Sequence, residues 1–198
     1  TTTHTNGKWK FNLAASGAGG PYEMTIKGLN IITIKDILIG DVWICSGQSN
    51  MWLRFSYKGM REQYQEEIDA SANPNIRLFN VPGIVSFSPL DDLKDTQGWL
   101  AASPKNLLNF STIGYFFAKE LYAKYQVPIG LLSSSFGGTP AEAWVSADVL
   151  KQFPEYETRF DQIKTDYSEK LKNEHFELIN KSGKVFLQRE PSTLYNAM

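Results

Sequence analysis

The residues of this chain best suited to chemistry stand close together in Gly40-Asp41-Val42-Trp43-Ile44-Cys45-Ser46-Gly47-Gln48-Ser49-Asn50-Met51. Val42-Trp43-Ile44-Cys45 is a short apolar run with β-branched and aromatic members, the pattern of a buried strand. It stops at Ser46-Gly47-Gln48-Ser49-Asn50, small and turn-forming residues that set a hydroxyl at the strand's carboxyl edge. Open α/β sheets bind their ligands at that edge. Gly47 permits a positive φ or the close approach of a substrate. Ser49 then stands in the turn between strand and helix, its hydroxyl and N–H both toward the cleft, as an acyl-transfer nucleophile requires. Gly-x-Ser alone fits an ordinary turn serine equally well. Met51 fills the place of the second glycine of a G-x-S-x-G elbow, so the pattern is not that of an ordinary α/β-hydrolase.

A second glycine-bearing turn follows a second apolar run. Ile129-Gly130-Leu131-Leu132-Ser133 reads as a buried strand and leads into Ser134-Ser135-Phe136-Gly137-Gly138-Thr139-Pro140-Ala141-Glu142-Ala143-Trp144. Two such turns at the carboxyl ends of parallel strands can converge on one cleft, although Gly137-Gly138 also suffices for a simple tight turn.

The elements that must position these turns alternate. Residues 57–72 are rich in helix formers and end at Asn73-Pro74-Asn75, and residues 76–81 read as a strand. Residues 82–105 form a long irregular connection carrying Trp99. Residues 109–125 are the clearest helix. Ser111 or Thr112 can cap it, Ile113, Phe116, Phe117, Leu121 and Tyr122 give it an apolar face, and Pro128 follows its end. Strand, helix, strand, helix, strand predicts an α/β fold with a parallel sheet and helices on its faces. Residues 1–39 are β-rich, with runs at 8–13, 22–27 and 31–34 parted by Ala18-Gly19-Gly20-Pro21 and Gly28-Leu29-Asn30. They are too few to close a sandwich. They form either the end of a β module or a hairpin packed on the main domain, so the chain divides at 1–39 and 40–198. Residues 146–182 read as helical and charged, interrupted at Phe153-Pro154, with Phe160, Ile163, Tyr167 and Leu171 as a packing stripe. Residues 190–198 begin like a helix and stop.

Composition removes several classes of function. A net charge of −1 without a basic block argues against a nucleic-acid partner. No apolar run approaches the length of a membrane span, and none reads as a signal peptide. One cysteine excludes an internal disulfide; Cys45, inside an apolar run, packs as a small hydrophobe rather than serving as a thiol nucleophile. Two histidines and one cysteine do not support a metal site, and no cofactor is implied. Five tryptophans suit carbohydrate contact and core filling alike.

Taken together, Gly40 to Met51 resembles the nucleophile block of the sialate O-acetylesterase family within the SGNH-type hydrolases. Phe110-Ser111-Thr112-Ile113-Gly114-Tyr115-Phe116-Phe117-Ala118 is similar to that family's helix between its first two blocks, and Ser133 to Trp144 to its second block. Pro191-Ser192-Thr193-Leu194-Tyr195-Asn196-Ala197-Met198 is similar to the segment before the third. The resemblance implies a three-layer SGNH-type fold, partial here, preceded by the tail of a β-rich domain. It implies hydrolysis of an O-acetyl ester on a sialic acid or other glycan, with Ser49 as nucleophile and the N–H groups of Ser49 and of Gly137 or Gly138 as the oxyanion hole. Gln48 and Asn50 would hold the turn or touch substrate; Glu142 and Trp144 would support the second turn or line the pocket.

In that family the general base resembles an Asp-x-x-His pair located beyond the stretch this chain matches. His4 and His175 do not follow that pattern and read as surface residues. The expectation is therefore an internal fragment of a longer esterase that carries the nucleophile without its base and is inactive alone. An acetylxylan-type esterase uses the same blocks. A non-catalytic sugar-binding segment would instead employ Trp43, Trp52, Trp99 and Trp144 as core or stacking groups. A secreted or periplasmic setting suits an enzyme of glycans.

Overall fold

The computed structural model describes residues 9–14, 16–93, 95–166, 176–177 and 189–198. The strands are β1 (Gly19–Lys27), β2 (Ile31–Ile39), β3 (Asp41–Gly47), β4 (Asn73–Asn80), β5 (Ile84–Val85), β6 (Leu100–Ala102), β7 (Ile129–Ser135) and β8 (Phe176–Glu177). Helices α1 (Ser49–Trp52), α2 (Lys58–Gln63), α3 (Gln65–Asp69), α4 (Pro104–Leu107), α5 (Thr112–Tyr125), α6 (Ala147–Leu150) and α7 (Pro154–Asp166) connect them, with a 3-10 turn at Ala141–Trp144. The fold is mixed α/β. Its main sheet has the order β3-β7-β4-β6, in which β3, β7 and β4 run parallel and β6 pairs antiparallel with β4.

Register decides where the chemistry falls. Gly40 passes so close to Pro128 that an added Cβ would lie 2.0 Å from the Pro128 carbonyl oxygen, a contact only glycine escapes. The next amide, Asp41 N–H, donates to that same oxygen at 3.0 Å. This pin starts the two strands level, Asp41 opposite Ile129, and they remain level through Gly47 opposite Ser135. The two glycine-bearing turns therefore leave the sheet side by side.

The core lies between the sheet and α5. Ile76, Leu78, Ile129 and Leu131 from the inner strands meet Phe55, Leu107, Phe110, Tyr115 and Ala118. Ser111 caps α5, its Oγ accepting the Gly114 N–H at 3.1 Å, and Gln126 in the left-handed region (φ 55°) closes it. The expected apolar face of this helix is buried in part: Phe116, Leu121 and Tyr122 pack against the core, and Ile113 and Phe117 do not. Tyr115 and Ala118 are buried with Gly114, Phe116 packs partly, and Ile113 and Phe117 are exposed. Phe117 stands near-perpendicular to Trp43 of β3, with the ring centroids 5.1 Å apart.

The same geometry corrects the reading of β3 as a buried strand. It is the edge of the sheet: Cys45 is 4% exposed, whereas Val42, Trp43 and Ile44 are 60, 44 and 71% exposed. Apolar runs mark a strand without saying how many neighbours it has.

Other boundaries also moved. The helix over 57–72 is broken into α2 and α3 at Tyr64, and β4 begins at Asn73, ahead of the expected strand start. The irregular connection contains β5, β6 and α4. Phe176–Glu177, placed within a helical stretch by the sequence, is a strand paired with β5. Tyr167 and Leu171 of the predicted stripe lie outside the described residues, whereas Ile163 is buried as expected.

Near the start, residues 9–13 are not in a strand, and β1 and β2 form an antiparallel hairpin through Gly28-Leu29-Asn30. Arg77 of β4 holds it against the sheet, donating from its two terminal nitrogens to the Asp36 carboxylate at 2.6 and 2.7 Å. That bidentate contact keeps the Asp36 carboxyl below the usual carboxylate range. Residues 191–197 are turns rather than a helix, packed on the 3-10 segment: Ser192 N–H donates to the Glu142 carbonyl, and those of Leu194 and Tyr195 to that of Ala143.

Candidate active site

Ser49 is the first residue of α1, and Gln48 is its cap. The Gln48 Oε1 accepts two hydrogen bonds, from the Ser49 N–H at 3.0 Å and from the Ser49 Oγ–H at 2.5 Å. The hydroxyl and the amide of Ser49 thus point to one spot, the requirement for a residue that attacks a carbonyl and also donates to its oxygen. Gln48, Ser49 and Asn50 are all exposed. Gly47 has φ +142°, a conformation side chains rarely adopt, which turns the chain out of β3 into α1.

The second turn lies against the first. Phe136 N–H donates to the Gly47 carbonyl at 3.0 Å, one step past the last paired residues of β3 and β7. Gly137 and Gly138 follow directly, Gly138 at φ +76°. At Gly137 a Cβ would lie 2.8 Å from Cε3 of Trp52, so the absent side chain lets the indole cover this turn. Trp52 is also 5.4 Å from Phe136 between ring centroids.

A chain of hydrogen bonds holds the second turn from behind. Trp144 Nε1 donates to Thr139 Oγ1 at 3.0 Å, and that hydroxyl donates to the Phe136 carbonyl at 2.8 Å. Arg189 Nε donates to the Gly138 carbonyl at 3.0 Å. The indole N–H of Trp144 is thereby engaged in turn geometry, and the Glu142 backbone anchors residues 191–198. Both sit where structural support would put them.

Among the candidates, Ser49, Gln48, Asn50, Gly137 and Gly138 come together at the carboxyl ends of β3 and β7, with Trp144 and Glu142 behind. His4 and His175 lie outside the described residues. Cys45 is buried beside Gly114, and burial pushes its thiol pKa up, away from the thiolate. A cleft of about 380 Å³ between β2, Gly40, Trp99 and Gly130 opens at the amino ends of the strands, opposite Ser49, and is separate from this site.

Two neighbours were absent from the expected site. Trp52 stands one helical turn beyond Ser49, and Arg54 lies over its ring, the guanidinium carbon 5.3 Å from the centroid. The i, i+3 spacing of Ser49 and Trp52 was available as a signal; the stacking of Arg54 was not.

The sequence model of the carbohydrate esterase, sialic acid-specific acetylesterase family matches residues 39–176. Sialate O-acetylesterase of Mus musculus is 36% identical over 177 residues, covering 84% of this chain and 32% of its own length. That of Homo sapiens is 36% identical over 155 residues, covering 72% and 29%. Among solved structures, a carbohydrate acetylesterase from Xanthomonas citri superimposes with a TM-score of 0.73 at 31% identity, over 98% of this chain and 36% of that one. The chain spans about a third of the length of the curated relatives it matches.

Proposed function

Because the chain belongs to the sialic acid-specific acetylesterase family of carbohydrate esterases, we propose that its paired turns carry the nucleophilic half of an O-acetylesterase acting on acetylated sialic acid. Ser49 Oγ attacks the acetyl carbonyl while its own N–H and that of Gly137 or Gly138 receive the developing oxyanion. One well-placed donor of this kind is worth about 3 kcal/mol of barrier. Collapse of the tetrahedral adduct breaks the bond to the sugar oxygen, which leaves with a proton as an alcohol. Water then releases acetate and restores the Ser49 hydroxyl. The Phe136 N–H to Gly47 carbonyl bond carries the reading, since it binds the two turns into one rim beside an exposed hydroxyl.

Gln48 Oε1 stands 3.0 Å from the Ser49 N–H, the separation at which an oxyanion would be held, so the amide has to swing aside for substrate. Proton transfer requires a base, and among the described residues no imidazole is present to act as one. The chain alone is therefore expected to be at best residually active, since losing a triad member typically costs several orders of magnitude in rate. Turnover of p-nitrophenyl acetate and of O-acetylated sialic acid, with a full-length family member as reference, tests this. The expected result is a trace of activity that disappears in Ser49→Ala. Robust turnover abolished by His175→Ala would make His175 the base and overturn the statement that the base is missing.

A further inference from the structure

We propose that Arg54 is the carboxylate-reading residue of the site, selecting an acidic sugar over a neutral one; the inference rests on the esterase reading above. Arg54 is half-buried, yet its guanidinium has no carboxylate partner among the described residues. Other arginines in comparable settings are matched: Arg77 pairs with Asp36 and Arg159 with Glu190. Arg54 instead stands over Trp52, its guanidinium carbon 5.3 Å from the centroid of the same indole that covers Gly137 on the second turn. Stacking on an aromatic face leaves the edge of a guanidinium open to bidentate contact with a carboxylate.

The backbone that carries Arg54 is also well anchored. The backbone of Arg54 bridges Ser111, Leu53 accepts the Thr112 N–H at 2.9 Å, and Ser56 N–H donates to Leu108 at 2.7 Å. The segment is thus fastened to the start of α5. A side chain carried on a fixed backbone and resting over an aromatic ring has less freedom to lose when an anion arrives. Ser49 opens α1 and Arg54 follows its end, with Trp52 between them in the chain, so in this proposal one sugar presents its ester to the first and its carboxylate to the second. A neutral acetylated polysaccharide offers Arg54 no carboxylate.

Binding of N-acetylneuraminic acid and of its neutral methyl ester to the chain, followed by NMR titration, tests this without requiring turnover. The acid is expected to bind the more tightly. Arg54→Gln should weaken the acid roughly ten- to a hundredfold and erase its advantage over the ester, as loss of a charge-assisted bidentate pair does. Arg54→Lys should restore part of that advantage. Galacturonic acid, titrated in parallel, separates a general preference for acidic sugars from one for sialic acid. Equal binding of acid and ester, or an acid affinity indifferent to Arg54→Gln, would overturn the proposal. Fluorophosphonate labelling that is lost in Ser49→Ala reports separately on the esterase reading, so the two can fail independently.

Discussion

At the scale of single residues, the site depends on side chains that are missing as much as on those present. Gly137 leaves room for Trp52, and a methyl group there would meet the indole at 2.8 Å. Gly137→Ala should therefore displace the ring or the turn at a cost of about 1–3 kcal/mol. Because the N–H of this turn is a proposed oxyanion donor, labelling of Ser49 by a fluorophosphonate should slow in the same variant. Thermal unfolding and labelling rate check both parts; an unchanged rate in a destabilised protein would remove this turn from the oxyanion hole. The positions of Ser49, Gly47 and the Gly137-Gly138 pair could be read from sequence because turn geometry is written in small residues next to each other. The i, i+3 spacing also puts Trp52 near Ser49, but the contact of Arg54 with its ring is not written in the sequence, since it depends on how the chain leaves α1. Trp144 was left between pocket and support, and only its bond to Thr139 shows which contact it makes.

At the scale of elements, the informative feature is the rim formed by β3. Val42, Trp43 and Ile44 are exposed on its alternating faces, and Phe117 of α5 lies against Trp43. An apolar strand edge with unpaired backbone groups invites another chain. The protein should accordingly associate with rising concentration, and Ile44→Lys should return it to the monomer, since a charge on an edge strand opposes pairing. Size-exclusion chromatography over a concentration series decides this. Association unaffected by Ile44→Lys would place the contact elsewhere. Alternation of strand and helix was enough to anticipate a parallel sheet, because each apolar run is bounded by turn residues. Strand order was not anticipated, because it rests on contacts distant in sequence, such as that of Gly40 with Pro128, which sets β3 level with β7 across nearly ninety positions. The expected face of α5 holds at Phe116, Leu121 and Tyr122 and fails at Ile113 and Phe117. An apolar residue on a helix becomes core only where the sheet extends beneath it.

At the scale of the whole molecule, the hairpin and the paired turns occupy opposite ends of the strands. Arg77 and Asp36 fasten the hairpin near the amino ends, while Gly47 and Phe136 join the turns at the carboxyl ends. The level register of β3 and β7 links the two, so a contact at Pro128 fixes the geometry around Ser49. The proposed nucleophile Ser49 and the proposed amide donors of the second turn thus stand on one rim, with Arg54 over Trp52 as the proposed carboxylate reader. The most direct measurement is to treat the chain with a fluorophosphonate and locate the adduct by peptide mass spectrometry. The account predicts slow, stoichiometric modification of Ser49 alone, abolished in Ser49→Ala. An adduct on another hydroxyl, or an unmodified Ser49 in a protein shown to be folded, would contradict it.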